Sequence, residues 1–168
     1  TKQKNFSFLI DCFSNLERNY KSLTLHILGD GDQKKNLKKL INSKNLNDKI
    51  YLHGHKDNIN EYLQNSFCFV LSSLWEDPGF VIIEAGFCNL FVISSDCPNG
   101  PKEFLKNGEA GILFKSNTKS GLLNSLIEFE NISKEEKMKK KIKLKKKAKK
   151  YSSFHHYKVL KDIIITLD

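Results

Sequence analysis

Short apolar runs and amphipathic stretches take turns along this chain, and that alternation leaves few folds open. TLHILG (24–29), KIYLHG (49–54), FCFVLSS (67–73), LFVISSD (90–96) and GILF (111–114) read as strands. FSFLIDCFSNL (6–16), QKKNLKKLINSKN (33–45), NINEYLQN (58–65), FVIIEAGFCN (80–89) and SGLLNSLIEFEN (120–131) read as helices, as does FHHYKVLKDIIITL (154–167). FCFVLSS is nearly continuously apolar, as a strand buried on both faces should be. Such alternation implies one doubly wound parallel sheet with helices on both faces. Ligands of such sheets bind beyond the C-terminal ends of the strands. The informative loops are therefore DGD (30–32), HKD (55–57), LWEDPG (74–79) and CPNGP (97–101), all expected on one edge.

The 168 residues suit one domain, 1–132, with a helical extension over 133–168 packing on it. The chain opens on Thr1 and shows no leader pattern, so the reading expects a piece of a longer chain. Its apolar runs are too short to span a bilayer. The net charge of +9 lies entirely in 134–150, where KEEKMKKKIKLKKKAKK holds eleven Lys and two Glu. Met138, Ile142, Leu144 and Ala148 give that run a thin apolar stripe. It is open to three readings: a solvated helix face, a contact with anionic membrane, or nucleic-acid binding. No aromatic residue is there to stack on bases, so nucleic acid is not expected. The single arginine, Arg18, and the many Lys, Asn and Ile reflect a compositional bias that lowers the weight of any one lysine. Cys12, Cys68, Cys88 and Cys97 have no metal-ligand spacing and read as free thiols, with Cys97 the most exposed.

WEDPGFVIIEA (75–85) carries the strongest chemical signal. Glu76 lies in the loop after a strand, and Glu84 lies inside an apolar run expected to be helical. Pro78 suits the first turn of that helix, because its missing N–H is no loss there. The N–H groups near Gly79, Phe80 and Val81 would then face the sheet edge and attract an anion such as phosphate. Eight residues of helix span ~12 Å, comparable to the reach from one sugar across a diphosphate to a second. Ionised carboxylates accept strongly from sugar hydroxyls. The bland alternative is a solvated Glu76 and a Glu84 paired with a lysine.

The other loops say less. Gly29-Asp30-Gly31 lets backbone approach a ligand closely, but the third Gly of a dinucleotide fingerprint is replaced by Lys34. A plain strand-to-helix turn capped by Asp32 is an equal reading. CPNGP is a turn in which Pro101 can begin a helix, and Glu103 either decorates its first turn or holds the loop. His26 and His53 fall on strands and read as structural, whereas His55 lies in a sheet-edge loop that can touch a ligand. No cluster with metal-ligand spacing is visible.

LGDGD, YLHGH, FVLSSLWEDPGFVIIEA, VISSDCPNGPKEFL and GEAGILF, in that order, resemble the C-terminal domain of glycosyltransferase family 4. The resemblance covers about residues 1–130, and 151–168 is similar to the closing helices. It implies a Rossmann-like domain, one half of a GT-B fold, in a retaining transferase. Glu76 and Glu84 match the family's E-x7-E. By position, Glu76 would contact donor-sugar hydroxyls and Glu84 the ribose. Gly79, Phe80 and Val81 would meet sugar and diphosphate through their backbone, with Asp77 beside them. Lys4 matches the lysine that binds the diphosphate, and the preceding arginine would lie before Thr1. Gly31, His55 and Lys56 match positions near the nucleotide. The resemblance implies no metal or other cofactor; the nucleotide-sugar is a substrate, and the acceptor domain would precede this chain. It also implies glycan synthesis in the cytoplasm, with 134–150 a candidate contact with the inner face of the membrane.

Two departures stand out. Asp77-Pro78 replaces the family's Gly-Phe after the first Glu, at a place that would tune donor choice. Asn89 replaces a Gly after the helix, a mild change because Asn tolerates a left-handed conformation. Two other functions fit the residues: a basic membrane or nucleic-acid module, and another sugar-phosphate enzyme such as an epimerase.

Overall fold

The computed structural model describes residues 1–17 and 20–165. Arg18 and the end of the expected helix over 154–167 lie outside the described residues. The elements run α1 (Phe6–Leu16), β1 (Leu25–Leu28), α2 (Lys34–Ser43), β2 (Ile50–Gly54) and α3 (Ile59–Gln64). Then come β3 (Phe69–Leu71), α4 (Val81–Phe87), β4 (Val92–Ser95), α5 (Pro101–Phe104) and β5 (Ile112–Phe114). Three helices close the chain: α6 (Lys119–Asn131), α7 (Lys134–Lys149) and α8 (Ser153–Ile165).

Among the described residues the five strands pair in parallel, as the alternation requires, and an isolated bridge between Gly29 and Gly54, beyond β1, runs antiparallel. The single expected sheet is instead two, β1-β2 and β3-β4-β5. β1 and β3 both line a cavity of about 1210 Å³, and no strand among the described residues lies between them. Helix α1 joins the sheets by packing. Its Ile10 and Phe13 meet Ile27 and Ile50 on one side, while Leu9 and Cys12 meet Ile93 and Ile112 on the other. The three-stranded sheet is covered on both faces. Val92 packs with Ile82, Leu105 and Leu144, and Phe91 and Ile93 pack with Leu122 and Phe129. That double burial explains the apolar run LFVI (90–93) leading into β4, whose four residues are all buried.

Several local expectations change. β3 keeps only the middle of FCFVLSS: Phe67 is exposed, and Ser72 and Ser73 run on beyond the ladder, fully buried. Pro78 does not open α4, which starts at Val81; the Asp77-Pro78 peptide is cis and lies before the helix. Pro101 does occupy the first turn of α5. Asp32 does not cap α2, because Gln33 takes that place and donates its side-chain amide to Asp32 at 3.0 Å. Asn89 follows α4 with φ +57°, the left-handed conformation its side chain tolerates. Cys97, expected to be exposed, is buried within the loop after β4, and burial pushes its thiol up. Burial likewise raises Cys12 to about 11 and Cys68 to about 12, and all four thiols are free.

The Lys-rich run is an ordered helix. Ser133 caps α7 by accepting from the Glu136 N–H at 3.1 Å. Leu144 and Ala148 are buried against α4 at Gly86, where a Cβ would come within 2.9 Å of Leu144 Cγ. Lys140 donates to the carbonyls of Gly108 and Gly111 at 2.6 and 3.2 Å. Lys143 pairs with Glu109 at 3.1 Å and Lys147 with Glu103 at 2.9 Å. Met138 and Ile142, the other half of the expected stripe, are exposed. α8 leaves Phe154, Tyr157 and Ile164 exposed. Among the described residues no helix is long and apolar enough to cross a membrane.

Leu144→Ala therefore removes the plug between α7 and α4. It is expected to lower the unfolding free energy by about 2–5 kcal/mol, read as a lower urea midpoint at unchanged slope.

Candidate functional site

The ends of β3, β4 and β5 converge, and their carbonyls need donors once the ladder stops. Serines supply them. Ser95 Oγ donates to the Ser73 carbonyl at 2.7 Å, and Ser116 Oγ does so at 3.3 Å. Ser72 Oγ donates to the Lys4 carbonyl at 2.9 Å, tying the N-terminal turn to the same edge. The Leu74 N–H donates to the Gln3 carbonyl at 2.9 Å, which fixes Lys4 beside the loop after β3.

Glu76 sits in that loop and is only 2% exposed. The bland reading of a solvated Glu76 is overturned. A buried carboxylate needs charge and hydrogen bonds to replace water. Lys4 Nζ donates to Oε1 at 2.8 Å and to Oε2 at 2.9 Å. Ser73 Oγ, itself fully buried, donates to Oε1. The Glu76 N–H donates to the Pro98 carbonyl at 3.0 Å, joining this loop to the one after β4.

Two glycines make the approach sterically feasible. Gly79 has φ +85°, and a Cβ there would lie 3.0 Å from Glu76 Cγ. Gly100 has φ +119°, and a Cβ there would lie 1.8 Å from the Pro78 carbonyl oxygen. Loop 97–101 thus supports Asp77-Pro78 from beneath.

The remaining predicted residues divide into groups. Glu84 is exposed on α4, not sunk in the apolar run; Ile82, Ile83 and Ala85 take the buried positions around it. Lys4, Gly31, Val81 and Glu84 all line the cavity between the sheets. Asp77 and Phe80 are exposed, and Phe80 stacks on Phe104 with ring centroids 6.2 Å apart. His55 and Lys56 do not line that cavity; His55 is linked to the turn after β1 through its N–H, which donates to Asp30 Oδ2 at 3.3 Å. Lys34, at 2.7 Å, and that N–H hold the Asp30 carboxyl below its usual range. The four loops therefore meet in two pairs, DGD with HKD and LWEDPG with CPNGP. His26 and His53 hydrogen-bond each other at 2.8 Å on the β1-β2 pair, with His26 exposed and lining the cavity. Among the described residues no three His, Cys, Asp or Glu are grouped to hold a metal.

Sequence reasoning missed Ser73, Asp30 and the steric role of Gly100. Only the spacing of Ser73 three residues before Glu76 could have flagged it, since the loop brings them together.

A family model for glycosyl transferases group 1 matches residues 1–151. The chain belongs to that family. It is 47% identical over 105 residues to an uncharacterized glycosyltransferase of Methanocaldococcus jannaschii, covering 62% of this chain and 26% of the relative. It is 32% identical over 135 residues to the amylovoran biosynthesis glycosyltransferase AmsD of Erwinia amylovora, covering 80% and 38%. The pneumococcal O-GlcNAc transferase GtfA, solved with UDP and GlcNAc, shares the fold at TM-score 0.81 and 20% identity, over 99% of this chain and 34% of that one. The chain thus spans about a quarter to two-fifths of these relatives' length, and its Rossmann-like architecture is that of a GT-B half.

Gly100→Ala places a methyl group on the Pro78 carbonyl at a positive φ. The expected outcome is destabilisation by more than ~1 kcal/mol, with altered amide NMR shifts reaching Glu76.

Proposed function

We propose that this chain is the donor-binding domain of a retaining, family 4 glycosyltransferase in which Glu76 and Glu84 form the E-x7-E pair. The observation that carries the reading is the buried Glu76 held by Lys4 and Ser73 at the C-terminal edge of a parallel sheet. The C-terminal edge of a parallel sheet is where such folds bind ligands, and Glu76 stands there with its charge met by Lys4. Glu76 would accept from donor-sugar hydroxyls and orient the anomeric carbon. Glu84, exposed beside the cavity, would accept from the ribose hydroxyls. The backbone at Gly79, Phe80 and Val81 would meet the sugar and diphosphate, with Asp77 tuning donor choice.

The chemical step is departure of the diphosphate. Charge develops on its leaving oxygen, and Lys4 Nζ is the cation positioned beside Glu76 to meet it. Gly31, on the cavity wall, would approach the phosphates or ribose, and His55 and Lys56, off that wall, would reach the base only from its rim. The reading needs no metal. UDP in the fold neighbour supports a nucleotide-sugar donor and the amylovoran role of a relative supports a glycan acceptor, with a lipid-linked acceptor as the alternative. The acceptor would be held by a further domain of a longer chain, in the cytoplasm. The exposed Lys139, Lys146 and Lys149 on the outer face of α7 offer contact with an anionic inner membrane surface.

Calorimetric titration with UDP, GDP and ADP tests the donor site. Weak binding of at least one is expected, with Glu84→Ala weakening it about tenfold and no transfer by this chain alone. A folded sample that binds none of the three overturns the reading. For the membrane contact, replacing Lys139, Lys146 and Lys149 with Glu should abolish sedimentation with anionic vesicles. Unchanged sedimentation would rule that contact out.

A further inference from the structure

Glu76 accepts three hydrogen bonds from the protein, one from Lys4 to each oxygen and one from Ser73 to Oε1. A carboxylate offers about four lone-pair sites. Two of those used are on Oε1, so the protein saturates that oxygen. The open lone pair is on Oε2. We propose that Ser73 is a positioning residue that fixes the rotation of the Glu76 carboxylate and presents Oε2 to the donor sugar. This rests on the donor-binding reading given above.

Ser73 can hold a direction because it is itself held. Its carbonyl accepts from Ser95 and Ser116 at 2.7 and 3.3 Å. The Ser116 N–H donates to Asp96 Oδ1 at 2.7 Å, which links the end of β5 to the end of β4. Ser73 is 0% exposed, so no bulk water replaces its hydroxyl if it is removed. Lys4 alone does not define the rotation. Its ammonium is a point charge with rotatable donors, touches both oxygens nearly equally, and its side chain is 30% exposed. The hydroxyl is what makes the two oxygens different.

The test compares nucleotide with nucleotide-sugar binding in the unmodified chain, Ser73→Ala and Ser73→Cys. The probes are UDP against UDP-glucose, UDP against UDP-N-acetylglucosamine, and GDP against GDP-mannose, by calorimetry. In the unmodified chain one nucleotide-sugar is expected to bind more tightly than its nucleotide. Ser73→Ala should weaken that nucleotide-sugar about tenfold and leave the nucleotide within about twofold. Ser73→Cys, which keeps a weak donor, should recover part of the loss, and it serves as the test variant if circular dichroism shows Ser73→Ala unfolded. Equal weakening of both ligands marks a general structural role and overturns the proposal. A nucleotide-sugar that binds no better than its nucleotide in the unmodified chain also overturns it, while the nucleotide site stands. No nucleotide binding at all overturns the donor-binding reading and the Ser73 role with it.

Discussion

A carboxylate with 2% exposure cannot rest on water, and Glu76 sets the terms for everything around it. Its charge is met by Lys4, whose position depends on the N-terminal turn being tied to the end of β3 by Ser72 and Leu74. Its orientation depends on Ser73, whose backbone depends in turn on serines from β4 and from the residues just after β5. The parallel sheet brings those strand ends together. The site is thus a consequence of strand order, because residues far apart in the chain meet only where parallel strands stop on one edge.

Close approach at that edge is limited by side-chain bulk. Gly79 leaves room for the Glu76 side chain, and Gly100 leaves room for the Pro78 carbonyl. Both sit at positive φ, where a Cβ carries a conformational penalty as well as a clash. Asp77-Pro78, the least family-like part of the stretch, is therefore buttressed from below by the loop after β4. A substitution at Asp77 would act on a supported loop.

The alternation of runs disclosed the parallel class and the strand positions, because burial on both faces leaves a continuous apolar trace such as LFVI before the serines of β4. It did not disclose that the four loops would meet in two pairs. Nor did it disclose that β1-β2 and β3-β4-β5 would be separate, since pairing depends on which strand lies between them in space. The spacing singled out Glu76 and Glu84, but Glu84, expected inside an apolar run, is exposed, and Glu76, for which a solvated loop position was the bland alternative, is buried. Glu84 looked enclosed because its sequence neighbours are apolar, yet a helix turns about 100° per residue and carries it to the outer face. A solvated Glu76 was an open alternative because its neighbours are turn residues, yet the loop folds back over the strand ends. Cys97 misled for the same reason. Local composition reports burial poorly in loops, where the path of the chain decides it.

The lysine run shows the same limit in charge. Read as composition, it is a basic tail. In the fold, Lys140, Lys143 and Lys147 carry their ammonium groups to carbonyls and carboxylates at the ends of neighbouring elements, while Leu144 and Ala148 seal the contact with α4. Long lysine stems cover apolar surface and still place the charge at its rim. A helix with ten lysines in sixteen residues can therefore be structural along one side and basic along the other. Only the outer lysines are left for a partner. Net charge overstates what the segment offers, and it is the face, not the count, that decides whether a membrane could read it.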